Sequence, residues 1–255
     1  MRLCLYQEMY KLLHKKLTYL APIFIFFVMA IFRIVLDSED PRLLGMANYA
    51  GGQALFLVMI IIGSTIFSME YQNHAILTIL YKTPSKFILY TSKVITLFIY
   101  NLFLHVITII FMGILQSTPL SISVNWLSVY QYNQPLWLNM INQNIIDIIT
   151  TFLIISLIVL FSCLISNNSA VVTVNIIIVF MGGFISTNLL NNRVLVSPLL
   201  KWNPLNMTLL TQQYYNYDMY HDSTLLNNNQ IIIGTIVYIF TFLVLGYVIF
   251  RKKRY

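Results

Sequence analysis

Six runs of about 20 consecutive apolar residues limit what this chain can become. They cover about 18–36, 49–69, 92–115, 144–166, 170–190 and 230–250. A helix rises ~1.5 Å per residue, so ~20 residues cross the ~30 Å hydrocarbon core of a bilayer. The runs are continuous rather than alternating, which excludes the short dyad strands of a membrane barrel and leaves helices as the spanning form. Composition agrees. Of 255 residues, 58% are hydrophobic and 9% charged, against about 25% charged in soluble domains. The expected fold is all-α, a polytopic membrane protein with six transmembrane helices in one domain over 1–255. The fifth run is the weakest, because Asn167, Asn168 and Ser169 leave only a tight turn after the fourth; a re-entrant pair is its alternative.

Lys and Arg set the orientation. Eleven fall on one side: Arg2, Lys11, Lys15, Lys16, Lys82, Lys86, Lys93, Arg251, Lys252, Lys253 and Arg254. Four fall on the other, Arg33, Arg42, Arg193 and Lys201, with Asp37, Glu39, Asp40, Asp218 and Asp222 among them. The expectation is a multi-pass cell-membrane protein with both termini cytoplasmic, which requires an even number of spans. The pI near 9.3 reflects these juxtamembrane clusters, so no nucleic-acid partner is expected. Cys4 and Cys163 fall on the reducing side and imply no disulfide. No small-residue cleavage site follows the amphipathic start, so no cleavable signal peptide is expected.

Residues 1–17 place Leu3, Tyr6, Tyr10, Leu13 and Leu17 on one helical face and Glu8, Lys11 and Lys15 on the other, the pattern of an interfacial helix. The connection 116–143 carries Trp126, Tyr130, Tyr132 and Trp137, read as an aromatic belt. The segment 191–229 opens with VLVSPLLKWNPLNMTLL, apolar but broken by Pro198 and Pro204. It is too short to span, and reads as one or two short helices dipping into the outer leaflet, capped by the exposed QQYYNYDMYHD.

Catalytic signatures are missing. There is no G-x-x-x-x-G-K-[ST] and no H-E-x-x-H, and His14, His74, His105 and His221 are scattered. Neither a metal site nor nucleotide hydrolysis within this chain follows. Asp147 and His105 are the titratable residues well inside spans, about 10 Å apart in depth at ~1.5 Å per residue, which argues against a proton relay. Arg33 and Asp147 lie at similar depth and form a candidate ion pair, with snorkelling to water as the simpler alternative. Gly51, Gly52, Gly63, Gly182 and Gly183 suit close helix approach. Asn101 and Asn175 suit interhelical hydrogen bonds. Met, Phe and Ile stripes on the second and fifth spans either line a greasy path or pack.

The stretch IFSMEYQNHAILTILYKTPSKFILYTSKVI (66–95) is more specific. An acid at the membrane edge (Glu70), a short helix near 72–82, the turn Thr83, Pro84, Ser85, then Lys86 and Lys93 resemble the pattern of ABC-2 type permeases. The amphipathic start, the six spans and the proline-broken outer segment match that layout. The resemblance implies an N-terminal elbow helix and a coupling helix seated in a groove of a separate ABC ATPase subunit. It further implies two permeases, identical or sister, paired with two such ATPases, which would hold the ATP and Mg; this chain would be no enzyme and carry no cofactor. The coupling helix would present Ile76, Leu77, Ile79 and Leu80 as apolar knobs and Lys82 and Lys86 as cations, while Glu70 braces the lever against Lys11 or Lys15.

The Asn- and Ile-rich composition and small size resemble Gram-positive exporters of lantibiotics and other amphipathic peptides, including those of phenol-soluble modulins. By that resemblance the substrate is an amphipathic peptide of toxin or bacteriocin type, exported for secretion or for bacteriocin immunity. Two other classes stay open: an ion-coupled secondary transporter, and a non-transporting membrane scaffold or sensor subunit. No inverted repeat or broken midplane helix favours the first.

Overall fold

The computed structural model describes residues 1–35, 40–73, 75–83, 85–118, 124–191 and 199–253. Six of its helices are long and apolar enough to cross a membrane. They are α2 (Lys16–Val35), α4 (Gly51–Gln72), α6 (Lys86–Gln116), α7 (Leu136–Leu164), α8 (Asn168–Asn191) and α12 (Asn228–Lys252). Between them lie α1 (Arg2–Leu13), α3 (Pro41–Met46), α5 (Ala75–Lys82), α9 (Pro204–Met207), α10 (Leu210–Tyr215) and α11 (Tyr217–Thr224). The all-α polytopic fold is as expected, and the fifth span is a full helix of 24 residues, not half of a re-entrant pair.

Two expected boundaries move. Helix α6 begins at Lys86 rather than near 92, and α7 begins at Leu136 rather than near 144. The added two turns of α7 carry Asn139 and Gln143, both buried, as is Asn144 where the apolar run begins. A window that scores apolarity reads such a turn as loop, although protein rather than lipid surrounds it.

Helices α4 and α7 form the centre, with 78% and 72% of their most apolar windows buried, against 28% for α2 and α8. The α4 side chains Leu55, Met59 and Ile62 pack with Leu97 and Leu104 of α6 and with Ile155 and Val159 of α7. Helix α12 packs on α7 through Ile231, Ile239 and Phe242. Helix α8 covers Phe56, Ile60, Ile154 and Ile158 with Val172, Ile176 and Val179. The apolar stripe of the second span is therefore core, whereas that of the fifth, with Phe180, Met181 and Phe184, stays exposed.

Local chemistry fixes the joints. Pro22 inside α2 has no N–H for the carbonyl of Thr18; the Tyr100 hydroxyl donates to that oxygen at 3.0 Å instead. The Thr18 hydroxyl donates to the carbonyl of Leu12 at 2.6 Å and closes the break between α1 and α2. Ser85 caps α6 by accepting from the Ile88 amide at 3.2 Å. Asn101 and Asn175 do not make the expected interhelical bonds. Asn175 donates to Val171 one turn back in its own helix, and neither polar atom of buried Asn101 has a partner.

The segment before the last span does enter the bundle. Met207 and Leu210 are fully buried. The wedge is admitted by glycines: a Cβ at Gly183 would lie 2.5 Å from Leu209 Cδ2, and one at Gly234 2.6 Å from Met207 Sδ. Pro204 opens α9 at its first turn. Arg193 and Pro198 lie outside the described residues. Gly183→Ile is expected to cost ~1–3 kcal/mol by overpacking this wedge. Gly113→Ala, where a Cβ meets nothing within 4 Å, should be neutral or stabilising by up to ~1 kcal/mol; thermal denaturation of the detergent-solubilised protein separates the two.

Candidate functional site

The end of the bundle that carries both termini is basic, and its centre is a closed ring of four charges. Lys93 Nζ lies 2.8 Å from Glu8 Oε2 and 2.7 Å from Glu70 Oε2. Lys11 Nζ lies 2.7 Å from Glu70 Oε1 and pairs with Glu8 Oε1 as well. Charge alternates around the ring and sums to zero. Three elements contribute: α1 gives Glu8 and Lys11, α4 gives Glu70, and α6 gives Lys93. Lys93 is wholly buried, and it donates to Glu8 and, at 3.2 Å, to the carbonyl of Ile66. Its approach to Glu70 is a charge contact too oblique for a hydrogen bond. The Phe67 ring lies 5.6 Å from its ammonium.

The expected contact of Glu70 with Lys11 is thus present, and Lys15 donates instead to Thr65 Oγ1 at 3.0 Å. Burial pulls the Lys11 ammonium down, but Glu70 and Glu8 more than offset it and hold its pKa above the ordinary 10.5. Burial, joined by the charge of Lys93, pulls Lys15 below that value. The inward face of α1 is therefore its charged face. Leu3, Tyr6, Tyr10 and Leu13 point away from the protein, as an in-plane helix on a bilayer requires.

Two further lysines satisfy helix C-termini, whose last carbonyls lack internal donors. Lys86 Nζ donates to the carbonyls of Arg251 and Lys253 at 3.1 and 3.2 Å. Lys253 Nζ donates to Cys163 O at 3.0 Å and Ser166 Oγ at 3.2 Å, and lies 4.0 Å from the Tyr71 ring centroid. Both cysteines are free and buried.

The short helix α5 lies between α4 and α6 in the chain, beside this ring. Its predicted knobs separate. Ile76 is buried in the bundle's own core and Ile79 packs against it, so neither is free to meet a partner. Leu77 is 50% exposed, and Tyr81, one turn on and not anticipated from the sequence, is 93% exposed. Pro84 and the side chains of Leu80 and Lys82 lie outside the described residues. A groove of about 400 Å³ opens beside α5, lined by Cys4, Tyr6, Tyr10, Ile79 and Leu89.

Arg33 and Asp147 do not pair with each other. The Arg33 guanidinium lies 5.7 Å from the Tyr49 ring centroid, whereas Asp147 Oδ1 accepts from Thr211 at 2.9 Å and Gln143 at 3.0 Å. Similar depth did not bring them to one face: Asp147 points to the re-entrant segment and to Gly52, whose Cβ would meet Oδ2 at 2.9 Å. The depth estimate for His105 is corrected too. Its Nε2 lies 3.2 Å from Thr151 Oγ1, and that hydroxyl donates to the carbonyl of Asp147, so the two titratable groups are about one helical turn apart, ~5.4 Å. Sequence counting missed this because α7 starts earlier than the apolar window.

Six spans around a buried α4 and α7 pair, an in-plane helix tied by charge to α4 and α6, and a re-entrant wedge before the last span define a polytopic membrane subunit. The model of the ABC-2 family transporter proteins matches residues 4–182, from α1 through the charge ring and α5 into α8. The chain belongs to that family and is the transmembrane subunit of an ABC transporter. No curated protein matches the chain.

Removing one member of the ring leaves buried charge unpaired. Lys93→Met should cost ~3–5 kcal/mol. The double variant Glu8→Gln with Lys93→Met should cost less than the summed singles by ~0.5–3 kcal/mol in a denaturant-based cycle. Because the Lys11 pKa is raised on folding, its contribution is complete below the ordinary 10.5 and lost as pH rises through the raised value. The stability gap between wild type and Lys11→Met should stay flat from about pH 7 to 9 and narrow only above the ordinary value.

Proposed function

We propose that the chain is one half of the pore of an ATP-driven exporter of amphipathic peptides, powered by two copies of a separate ABC ATPase subunit holding ATP and Mg. The observation that carries this reading is the lever α5. It follows α4 a few residues after Glu70 of the ring, is seated on the core by Ile76 and Ile79, and presents Leu77 and Tyr81 outward at i and i+4 on one face. A helix built only to connect spans has no need of an exposed Tyr and Leu on the water side of the membrane. Glu70, Lys11 and Lys93 join α4 to α1 and α6, so force applied to α5 and passed into α4 reaches two spans and the elbow together. Lys86 ties the same region to the end of the last span. Both termini then lie in the cytoplasm, on the side of the ATPase.

Cargo class rests on apolar surface. Helices α2 and α8 leave Phe24, Phe27, Phe180 and Phe184 exposed, and a groove of about 460 Å³ between Val28, Phe32, Leu57 and Phe180 opens sideways at the end opposite the termini. A second permease, identical or sister, facing this surface would enclose a laterally open cavity. An amphipathic peptide already lying in the bilayer can enter such a cavity without crossing a charged pathway. This suits lantibiotic, bacteriocin or phenol-soluble-modulin type cargo in a Gram-positive membrane, for secretion or for immunity.

Co-purification with an ABC ATPase separates this reading from a secondary carrier and from a scaffold. Leu77→Asp with Tyr81→Asp should leave insertion and thermal stability unchanged, while abolishing ATPase binding and peptide export together. Normal export by that double variant would remove the coupling role of α5.

A further inference from the structure

A second apolar groove, of about 500 Å³, runs between α6 and α12 at the basic end. Phe87, Val94 and Ile95 form one wall and Phe240, Val244 and Tyr247 the other. Phe87, Phe240 and Val244 are each more than half exposed, so the groove faces outward from the bundle. Its depth is set by Gly246, where a Cβ would lie 2.8 Å from the Tyr90 hydroxyl, and by the bond that this hydroxyl donates to the carbonyl of Leu243 at 2.7 Å.

Among the described residues, the charged neighbours in sequence of the groove's lining at its basic end carry one sign of charge. Positions 240, 244, 247 and 251 recur at helical spacing along α12, so the apolar stripe ends in Arg251, with exposed Lys252 beside it. Met1, which lines the groove, is followed by exposed Arg2, and Phe87 is preceded by Lys86. Neither the 31 residues of α6 nor the 25 of α12 include an Asp or Glu. The acids Glu8 and Glu70 are committed to the ring. Tyr247, stacked edge-on with Phe87 at 5.3 Å between centroids, stands at the level where an aromatic ring meets headgroups.

We propose that this groove is a binding site for one anionic phospholipid of the leaflet on the side of the termini, with an acyl chain between α6 and α12 and the phosphate at Arg251, Lys252 and Arg2. A zwitterionic lipid could fill the same apolar trough, but only a net negative headgroup gains from cations with no free acid among their described neighbours. The cargo and a second copy of the chain are the competing occupants. The site is independent of the exporter reading, since it uses neither α5 nor the exposed faces of α2 and α8.

The test is native mass spectrometry of the purified, delipidated full chain offered equimolar phosphatidylglycerol and phosphatidylcholine. The expected result is preferential retention of one phosphatidylglycerol. Arg251→Gln with Lys252→Gln should weaken that retention by about fivefold per cation removed, with phosphatidylcholine retention and melting temperature unchanged. Val244→Trp, which fills the trough, should lower retention of both lipids. Equal retention of the two lipids by the wild type, or undiminished retention by Val244→Trp, would overturn the site. So would an efficient disulfide between two copies carrying Phe240→Cys, which would show a second copy seated in the groove.

Discussion

Everything at the basic end depends on one buried ammonium, that of Lys93. A lone charge in this position would be strongly disfavoured, so Glu8 and Glu70 have to converge on it. That convergence brings an in-plane helix and two spans to a single point. The requirement acts in both directions, because the two carboxylates are themselves largely buried and need Lys93 and Lys11 to remain charged. Helix α1 is held by this exchange together with the packing of Leu12, while Leu3, Tyr6, Tyr10 and Leu13 face outward.

The same logic organises the rest of that end. Helix C-termini present carbonyls without donors, and Lys86 and Lys253 supply them across helix boundaries. The lysines that orient the chain in the membrane therefore also hold α4, α6, α7 and α12 in register. At the opposite end the bundle is closed by different means, through glycines on α8 and α12 that admit the α9 and α10 wedge, and through neutral hydrogen bonds around Asp147. One end is built on a ring of four charges and carries α5, and the other is filled by a short re-entrant segment packed over Asp147. That asymmetry suits a protein driven from one side and opening at the other.

Much of this was legible in the sequence. Continuous apolar runs gave six spans because lipid accepts nothing else at that length. The glycines marked close approach, and the broken segment before the last span marked a wedge. The pattern around Glu70 marked the short helix α5. The misplaced details share one cause. Ile76 and Ile79 look like free knobs in a short amphipathic helix, and only the position of the core beneath α5 shows which of its faces is covered. Asn139 and Gln143 look like a loop to any apolarity window, yet they lie in buried turns of α7. Arg33 and Asp147 share a depth but not a face.

By itself, then, the sequence determined the number of spans, the side on which basic residues gather and the class of helix at the N-terminus, because each follows from the cost of exposing polar groups to hydrocarbon. Only the tertiary structure decided the direction in which each amphipathic helix turns. The charged stripe of α1 reads as a solvated face, but it points inward, because Glu70 and Lys93, 59 and 85 residues from their partners on α1, arrive there to neutralise it. Helical periodicity records that two faces differ. Which of them meets protein is settled by the partners that packing brings opposite.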